Sequence, residues 1–176
     1  MTEDFLIGGE NPTTPQELLE YLDELGLEHE TFSHPAVFTV AEAKELRGSL
    51  VGAHTKNLFV RDKKGVMWLI VALEDRTIDL QQLAQSLGHK RFSFGSSERL
   101  MSYLGVIPGA VTPFALINDL TRVVRIALDL GLGGFDTWNF HPLHNAMTTN
   151  IRSEDMLQFL IAIEHAPTWI DLAGKT

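Results

Sequence analysis

Apolar and polar positions come in blocks along this chain, and one succession of blocks is sharper than the rest. His54-Thr55-Lys56-Asn57 is polar, Leu58-Phe59-Val60 apolar, and Arg61-Asp62-Lys63-Lys64-Gly65 a charged turn; Val66-Met67-Trp68-Leu69-Ile70-Val71-Ala72 is apolar again. The pattern predicts two strands joined by a tight hairpin, with Gly65 able to take the positive φ that such turns often need. The strands are almost continuously apolar, which predicts cover on both faces. Lys56 and Asn57 then stand at the mouth of a buried hairpin, where a lysine either snorkels to water or meets an anionic ligand.

Elsewhere the pattern predicts short elements. Thr14-Pro15-Gln16-Glu17 has the form of a capping box with proline at the first helical position. Leu18, Leu19, Leu22 and Leu25 form the apolar stripe that follows, and Gly26 is the stop. Glu28 to Ser33 reads as a short strand, ended by His34-Pro35 because proline restricts its predecessor and lacks a ladder donor; His34 is either a turn residue or part of a cleft. Thr39-Val40-Ala41-Glu42 predicts a second capped helix, running toward Leu46 and stopping near Gly48. Asp79 caps another, Arg91 to Phe94 is a short strand, and Ser96 or Ser97 starts a helix that stops at Gly105.

The apolar run Phe114-Ala115-Leu116-Ile117 predicts a strand, Asn118-Asp119 a turn, and Arg122 to Leu128 the returning antiparallel partner. Ser153 is expected to cap the last helix, with Met156, Leu157, Leu160 and Ile161 on one face, and Trp169, Ile170 and Leu172 to pin the tail. Short strands mixed with short helices, and two hairpins, predict a mixed α/β (α+β) fold in a single domain spanning residues 1–176.

Composition narrows the classes. The chain has 176 residues, 44% hydrophobic and 21% charged, ordinary for a globular protein able to bury a core without staples. It has no cysteine, which excludes disulfides, iron–sulfur clusters and a thiol nucleophile. Met1-Thr2-Glu3-Asp4 lacks the basic region of a signal peptide and no apolar run is long enough to span a bilayer, so the expectation is a cytoplasmic protein with no membrane partner. The net charge of −9 argues against nucleic acid, but its distribution argues less firmly. Residues 1–30 carry nine acidic side chains and no Lys or Arg, whereas residues 44–91 carry nine basic against five acidic ones. Phosphate binding follows the local field; an ordinary solvated surface is the alternative.

The chemistry is read largely by what is missing. His141-x-x-His144 lacks the spacing and the further ligands of a zinc site, so neither a metal nor a cofactor is expected. There is no Gly-x-Ser-x-Gly elbow, P-loop or dinucleotide fingerprint. What remains is the Lys56-Asn57 pair, the stiff loop Gly105-Val106-Ile107-Pro108-Gly109-Ala110-Val111-Thr112-Pro113, and a polar stretch from Asn139 to Asn150 holding His141, His144 and Asn145. A Gly/Pro loop lets backbone N–H groups approach a carbonyl or oxyanion; a plain loop entering a strand is the other reading. Donors and one positive charge, without a protein nucleophile, favour binding a phosphorylated ligand and directing water at an activated carbonyl.

At this point the chain resembles the YbaK/ProX superfamily of aminoacyl-tRNA editing domains, and within it the ProX branch of Ala-tRNA(Pro) deacylases. The matching pieces are His34-Pro35 with Phe38-Thr39 and Glu42-Ala43; His54 to Phe59 with the Asp62 to Gly65 turn; Ser93-Phe94-Gly95; and Leu104-Gly105-Val106. Pro108 to Phe114, Leu116 to Asp119, Asn139-Phe140-His141-Pro142-Leu143 with Asn145, and Thr148-Thr149 complete the match.

The resemblance implies a curved, mostly antiparallel sheet flanked by short helices, and hydrolysis of mischarged tRNA(Pro) released from its synthetase, with Ala-tRNA(Pro) the expected substrate and Cys-tRNA(Pro) or another small-amino-acid ester, or a non-catalytic tRNA- or nucleotide-binding module, as the alternatives. It implies a partner in the tRNA(Pro) acceptor end with its aminoacyl group, a transient one in prolyl-tRNA synthetase, and none in DNA. Lys56 matches the family lysine and would hold the terminal adenosine phosphate; Asn57 would orient the ester or the attacking water. Gly109, Ala110, Val111, Thr112 and Pro113 would face the ester carbonyl and wall the amino-acid pocket, with Phe38, Thr39 and Asn145 also on the substrate. His141 matches the histidine near the pocket and would position the ligand or the sheet, or act as a base; His144 falls at a variable position and takes no role. A pocket that fits proline cannot strongly reject alanine, since a missing methylene is worth only about 1–3 kcal/mol, and a second, smaller pocket would correct the error.

Overall fold

The structure, a computed structural model, describes residues 4–36 and 50–173. Phe38, Thr39 and the helix expected after Thr39 lie outside the described residues. The first described helix, α1 (Pro15–Glu24), starts as the sequence predicts. Thr14 Oγ1 accepts from the Glu17 N–H, and the Glu17 carboxylate accepts from the Thr14 N–H, both at 3.1 Å. Leu18 and Leu22 on its inner face are fully buried, each stabilising the fold by about 1.5–3 kcal/mol.

Among the described residues eight strands form one open, mostly antiparallel sheet: β1 (His29–Ser33), β2 (Ala53–Arg61), β3 (Met67–Leu73), β4 (Ser93–Phe94), β5 (Val124–Asp129), β6 (Thr137–Phe140), β7 (Met147–Arg152) and β8 (Thr168–Ile170). The spatial order is β1-β7-β6-β2-β3-β5-β8, with β4 also on β2. The β2–β3 hairpin is the predicted one: Lys56 lies opposite Ala72, and Gly65 takes φ +88° in the turn. Because strand side chains alternate, β3 feeds two cores. Met67, Leu69 and Val71 join Leu18, Leu104, Phe114 and Phe159 on one face, while Trp68 and Ile70 join Leu83, Phe92 and Ile170 on the other. Cover on both faces holds for β3; β2 is only half-buried from His54 to Leu58.

Two sequence expectations are corrected here. Phe114 to Ile117 is part of a 3-10 helix, Pro113–Asn118, not a strand. Thr112 Oγ1 accepts from the Phe114 N–H at 3.3 Å and starts a helical turn, and Pro113 fits a first helical position. Consequently β5 has no hairpin partner there, and runs parallel to β3 and β8 instead. The second antiparallel hairpin is β6–β7, closed by residues 141–146.

Helices α2 (Leu80–Ser86) and α3 (Ser97–Leu104) are capped by Asp79 and Ser96. In α4 (Ser153–Ala162), Ser153 is already inside the helix and no side chain caps its start. Among the described residues no helix is long and apolar enough to cross a membrane.

Candidate functional site

β2 is held unevenly along one edge. Its first residues pair in parallel with β6, Ala53 with Trp138 and His54 with Asn139, and its last residues pair with β4, Val60 with Phe94 and Arg61 with Ser93. Among the described residues no strand pairs with that edge between them, a stretch of about 13 Å at some 3.3 Å per residue. The Phe59 carbonyl accepts from Gly95 N–H on this side, and the His54 carbonyl accepts from Glu74 N–H on the β3 side. Backbone groups alternate along a strand, so the N–H and C=O of Asn57 point into the unpaired gap. β6 leaves the sheet after Phe140; two residues past the last ladder pair stand Lys56 on β2 and His141 on the chain leaving β6. Thr55 Oγ1 donates to the Asn139 carbonyl at 2.9 Å and locks this junction.

The structure thus brings Lys56, Asn57 and His141 to one end of the β2–β6 seam, with Asn145 four residues further on in the loop between β6 and β7. It also sends Lys56 and Asn57 to opposite faces. Ala53 and Phe59 lie in the first core, so Asn57 shares their face; Val60 lies in the second, so Lys56 shares its face. Lys56 Nζ donates to the main-chain carbonyl of Arg76. Asn57 is half-buried, its Oδ1 is shielded from solvent, and that oxygen has no hydrogen-bond partner. Asn145 is buried, 4% exposed, and its Nδ2 likewise has no partner. One unpaired acceptor and one unpaired donor are therefore held near the seam, where each costs about 1–3 kcal/mol until something satisfies it.

The loop 109–113 reaches the same region through its two neighbours. Phe114, just after Pro113, packs edge-on against Phe140, just before His141, with ring centroids 5.9 Å apart. Gly109 takes φ +92°, Ala110 and Thr112 are buried, and Val111 packs on the core. With the Thr112 oxygen already accepting from Phe114, the loop's remaining polar capacity is largely main chain.

His141 donates Nδ1–H to the Met147 carbonyl at 2.7 Å. A carbonyl only accepts, so the neutral ring keeps its lone pair on Nε2. Burial pushes this histidine below its ordinary value; His34 and His144 push the same way, against the bond to Met147. His34 stands 6.1 Å away, ring to ring, with Nδ1 on the Pro35 carbonyl and Nε2 on Thr148 Oγ1. Leu143, in the connecting loop, takes φ +68° and still packs on the core, a conformation that costs a non-glycine residue about 1 kcal/mol or more. Among the described residues no three His, Asp or Glu side chains converge as a metal site would require.

Several polar residues of this stretch are structural. Asn139 Nδ2 donates to the carbonyls of Val51 and Ala53, and Asn150 Nδ2 donates to Asn139 Oδ1 at 3.0 Å, stitching β7, β6 and the entry to β2. Sequence reasoning did not single out Arg76 or Asp129, whose contact stands behind Lys56. Fifty-three positions separate them, and nothing local links them.

The aminoacyl-tRNA editing domain profile matches residues 34–159. The chain is 38% identical over 154 residues to prolyl-tRNA synthetase associated domain-containing protein 1 of Danio rerio, covering 86% of this chain and 84% of that one. It is 37% identical over 142 residues to the prolyl-tRNA editing protein ProX of Acetoanaerobium sticklandii, covering 80% and 87%. It is 31% identical over 113 residues to the multifunctional Ser/Thr-tRNA deacylase ProXp-y of Escherichia coli, covering 62% and 68%. A crystal structure described as a candidate trans-editing enzyme for prolyl tRNA synthetase superposes with a TM-score of 0.69 at 22% identity, over 91% of this chain and 94% of that one, a likeness of fold. With the profile spanning His34 to Phe159 and relatives above a third identical across most of the chain, this protein belongs to the aminoacyl-tRNA editing domain family.

Proposed function

We propose that this chain, acting as one editing domain over residues 1–176, hydrolyses the ester of mischarged tRNA(Pro), with Ala-tRNA(Pro) as its substrate. The observation that carries the reading is the pair of unsatisfied buried amide atoms, Asn57 Oδ1 and Asn145 Nδ2, which a polar ligand at the seam would satisfy. Family membership supports aminoacyl-tRNA as that ligand, and the ProX relative supports tRNA(Pro). Transient contact with prolyl-tRNA synthetase and a cytoplasmic location belong to the same reading.

Lys56 holds the phosphate of the terminal adenosine. Asn57 orients the ester, and main-chain N–H groups of the loop at Gly109, Val111 and Thr112 meet the charge that develops on its carbonyl oxygen, since Ala110 N–H is spent on the Ile107 carbonyl and Pro113 has none. Water adds to the carbonyl carbon, the bond to the ribose oxygen breaks, and that oxygen takes up a proton, releasing alanine and free tRNA. The water's proton reaches that leaving oxygen by relay, either through the neighbouring ribose hydroxyl, which gives up its own proton as it takes one, or through the lone pair on His141 Nε2. Serine or threonine in place of alanine is the second reading, favoured by the likeness to the E. coli deacylase.

The test is loss of the aminoacyl ester from Ala-, Cys-, Ser- and Pro-tRNA(Pro) and from Thr-tRNA, beside a Lys56→Ala control. Loss of alanine above all others, abolished in the control, is expected. Preference for serine or threonine would move the substrate, and turnover of none would leave a binding module.

A further inference from the structure

A lysine carries a point charge on a flexible four-carbon stem, so holding a phosphate in one place requires that the ammonium be seated. One seat for it here is the Arg76 main-chain carbonyl, which accepts from Lys56 Nζ. That carbonyl lies in the turn leaving β3, where the Arg76 N–H bonds back to the Leu73 carbonyl at 3.0 Å.

The turn is fixed from the far side of the sheet order. The Arg76 guanidinium grips Asp129 through Nε at 3.0 Å and Nη2 at 3.3 Å. The Asp129 carboxylate is fully buried, and it also accepts from the N–H groups of Leu73 at 3.1 Å and Gly131 at 2.8 Å. The glycine at 131 leaves room for this clamp: a Cβ there would meet Arg76 Nη2 at 2.4 Å and Leu73 Cδ1 at 2.8 Å, and one of them would have to shift. One carboxylate therefore ties the ends of β3 and β5 together with the 3-10 turn Leu130–Gly134.

We infer that Arg76 is a positioning residue for Lys56: its side chain, clamped by Asp129, holds its own main-chain carbonyl where it seats the Lys56 ammonium. A carbonyl orients an ammonium through one of its three N–H donors and has no charge of its own to cancel it. Burial works to raise the Asp129 carboxyl, but the hydrogen bonds from Arg76, Leu73 and Gly131 outweigh it and hold the group below the ordinary carboxylate range. The same contact raises Arg76 further above neutrality, so the clamp stays charged on both sides throughout the neutral range. The inference rests on the proposed use of Lys56 in deacylation.

The test compares wild type, Lys56→Ala, Arg76→Lys and the double variant Arg76→Ala/Asp129→Asn, which avoids leaving a lone buried charge. Two quantities are read: kcat and KM on Ala-tRNA(Pro), and the rate at which acetic anhydride labels Lys56, with Lys63 and Lys64 as exposed references in the same digest. The double variant should lower kcat about tenfold to a hundredfold, the scale of a misplacement of about an ångström. It should also raise Lys56 labelling toward that of the references. Arg76→Lys, still able to pair with Asp129, should recover part of both. Unchanged labelling in the double variant, or unchanged kcat, overturns the inference. Full activity in Lys56→Ala instead overturns the role proposed for the lysine, and the labelling shift shows separately whether the seat exists.

Discussion

His141 donates its Nδ1–H to the carbonyl of Met147 at 2.7 Å, and this single bond fixes which nitrogen of the ring is left to act. Burial holds the ring below the ordinary histidine value of 6.5, so it is neutral at pH 7 with its lone pair on Nε2. If that lone pair serves the reaction, kcat/KM keeps its plateau below pH 6.5 and falls only at a lower pH. His141→Gln should remove this acid limb and cost about a hundredfold, the low end for a group that handles a proton. The sign for stability follows from linkage. Below 6.5 the unfolded chain takes up the proton first, so the fold loses stability as pH falls from 6.5 toward the lowered value, and loses no more beneath it. Melting curves between pH 7.5 and 5 should show this slope in wild type and a shallower one in the variant.

Asn57 and Asn145 separate function from stability. Their unpaired amide atoms are a liability in the free protein, so Asn57→Ala should leave the melting temperature unchanged or raise it, by up to about 1 kcal/mol of stability. Deacylation should nevertheless fall at least about tenfold. A loss of stability as large as the loss of activity would reassign Asn57 to the fold.

Asp119 and His165 give the opposite pairing. Both are buried, and the imidazole faces acceptors on both sides, Asp119 Oδ2 and the Ile163 carbonyl, each at 2.9 Å. The Asp119 carboxylate also accepts from the N–H groups of Val123 at 3.2 Å and Val124 at 2.8 Å, so Asp119→Asn turns an amide toward buried donors it can satisfy only in part, at a cost of about 3 kcal/mol. At roughly 2–4 °C per kcal/mol for a chain of this size, the melting temperature should drop by about 10 °C. Any activity loss should follow the unfolded fraction, which circular dichroism and turnover measured at one temperature would show.

Charge is sorted along the strands. Arg61, Lys63 and Lys64 stand at the turn end of β2, and Lys90 and Arg91 lie just before β4, whose Ser93 pairs with Arg61. Asp23, Glu28 and Glu30 stand at the other end, beside the start of β1. If the basic end meets the tRNA backbone, log kcat/KM at low substrate should fall linearly with log salt, by about 0.9 per phosphate neutralised. Lys63→Gln/Lys64→Gln should flatten that line without changing kcat at saturation. A salt-independent rate would confine the contact to the terminal nucleotide.

The parts of this molecule legible in its sequence are those set by near neighbours. The Thr14, Asp79 and Ser96 caps each close a hydrogen bond within three residues, and the β2–β3 hairpin is written in two apolar runs about a charged turn. Phe114 to Ile117 misled because an unbroken apolar run has no periodicity to separate strand from helix; the deciding signal was the Thr112-Pro113 start. The parallel partners of β5 and the Arg76–Asp129 clamp are made by residues dozens of positions apart, and no window holds both sides. The division of Lys56 from Asn57 onto opposite faces was implicit in strand alternation, but only the cores on either side give that division a direction.

The interrupted edge of β2 has a consequence for how such a site can change. Among the described residues, what stands at Asn57 between the β6 and β4 pairings is peptide backbone, whose N–H and C=O survive replacement of any side chain except by proline. Recognition built on that rail is indifferent to drift around it. If residues 109–113 and 141–145 form the rim proposed for the substrate, substitutions at its positions outside the buried core, such as Val111 and His144, would alter its size or polarity without disturbing the ladder on either side. On the proposed function, an architecture of this kind would separate the part that must hold still from the part that chooses, and selectivity would be retuned by substitutions in two loops while the sheet stays as it is.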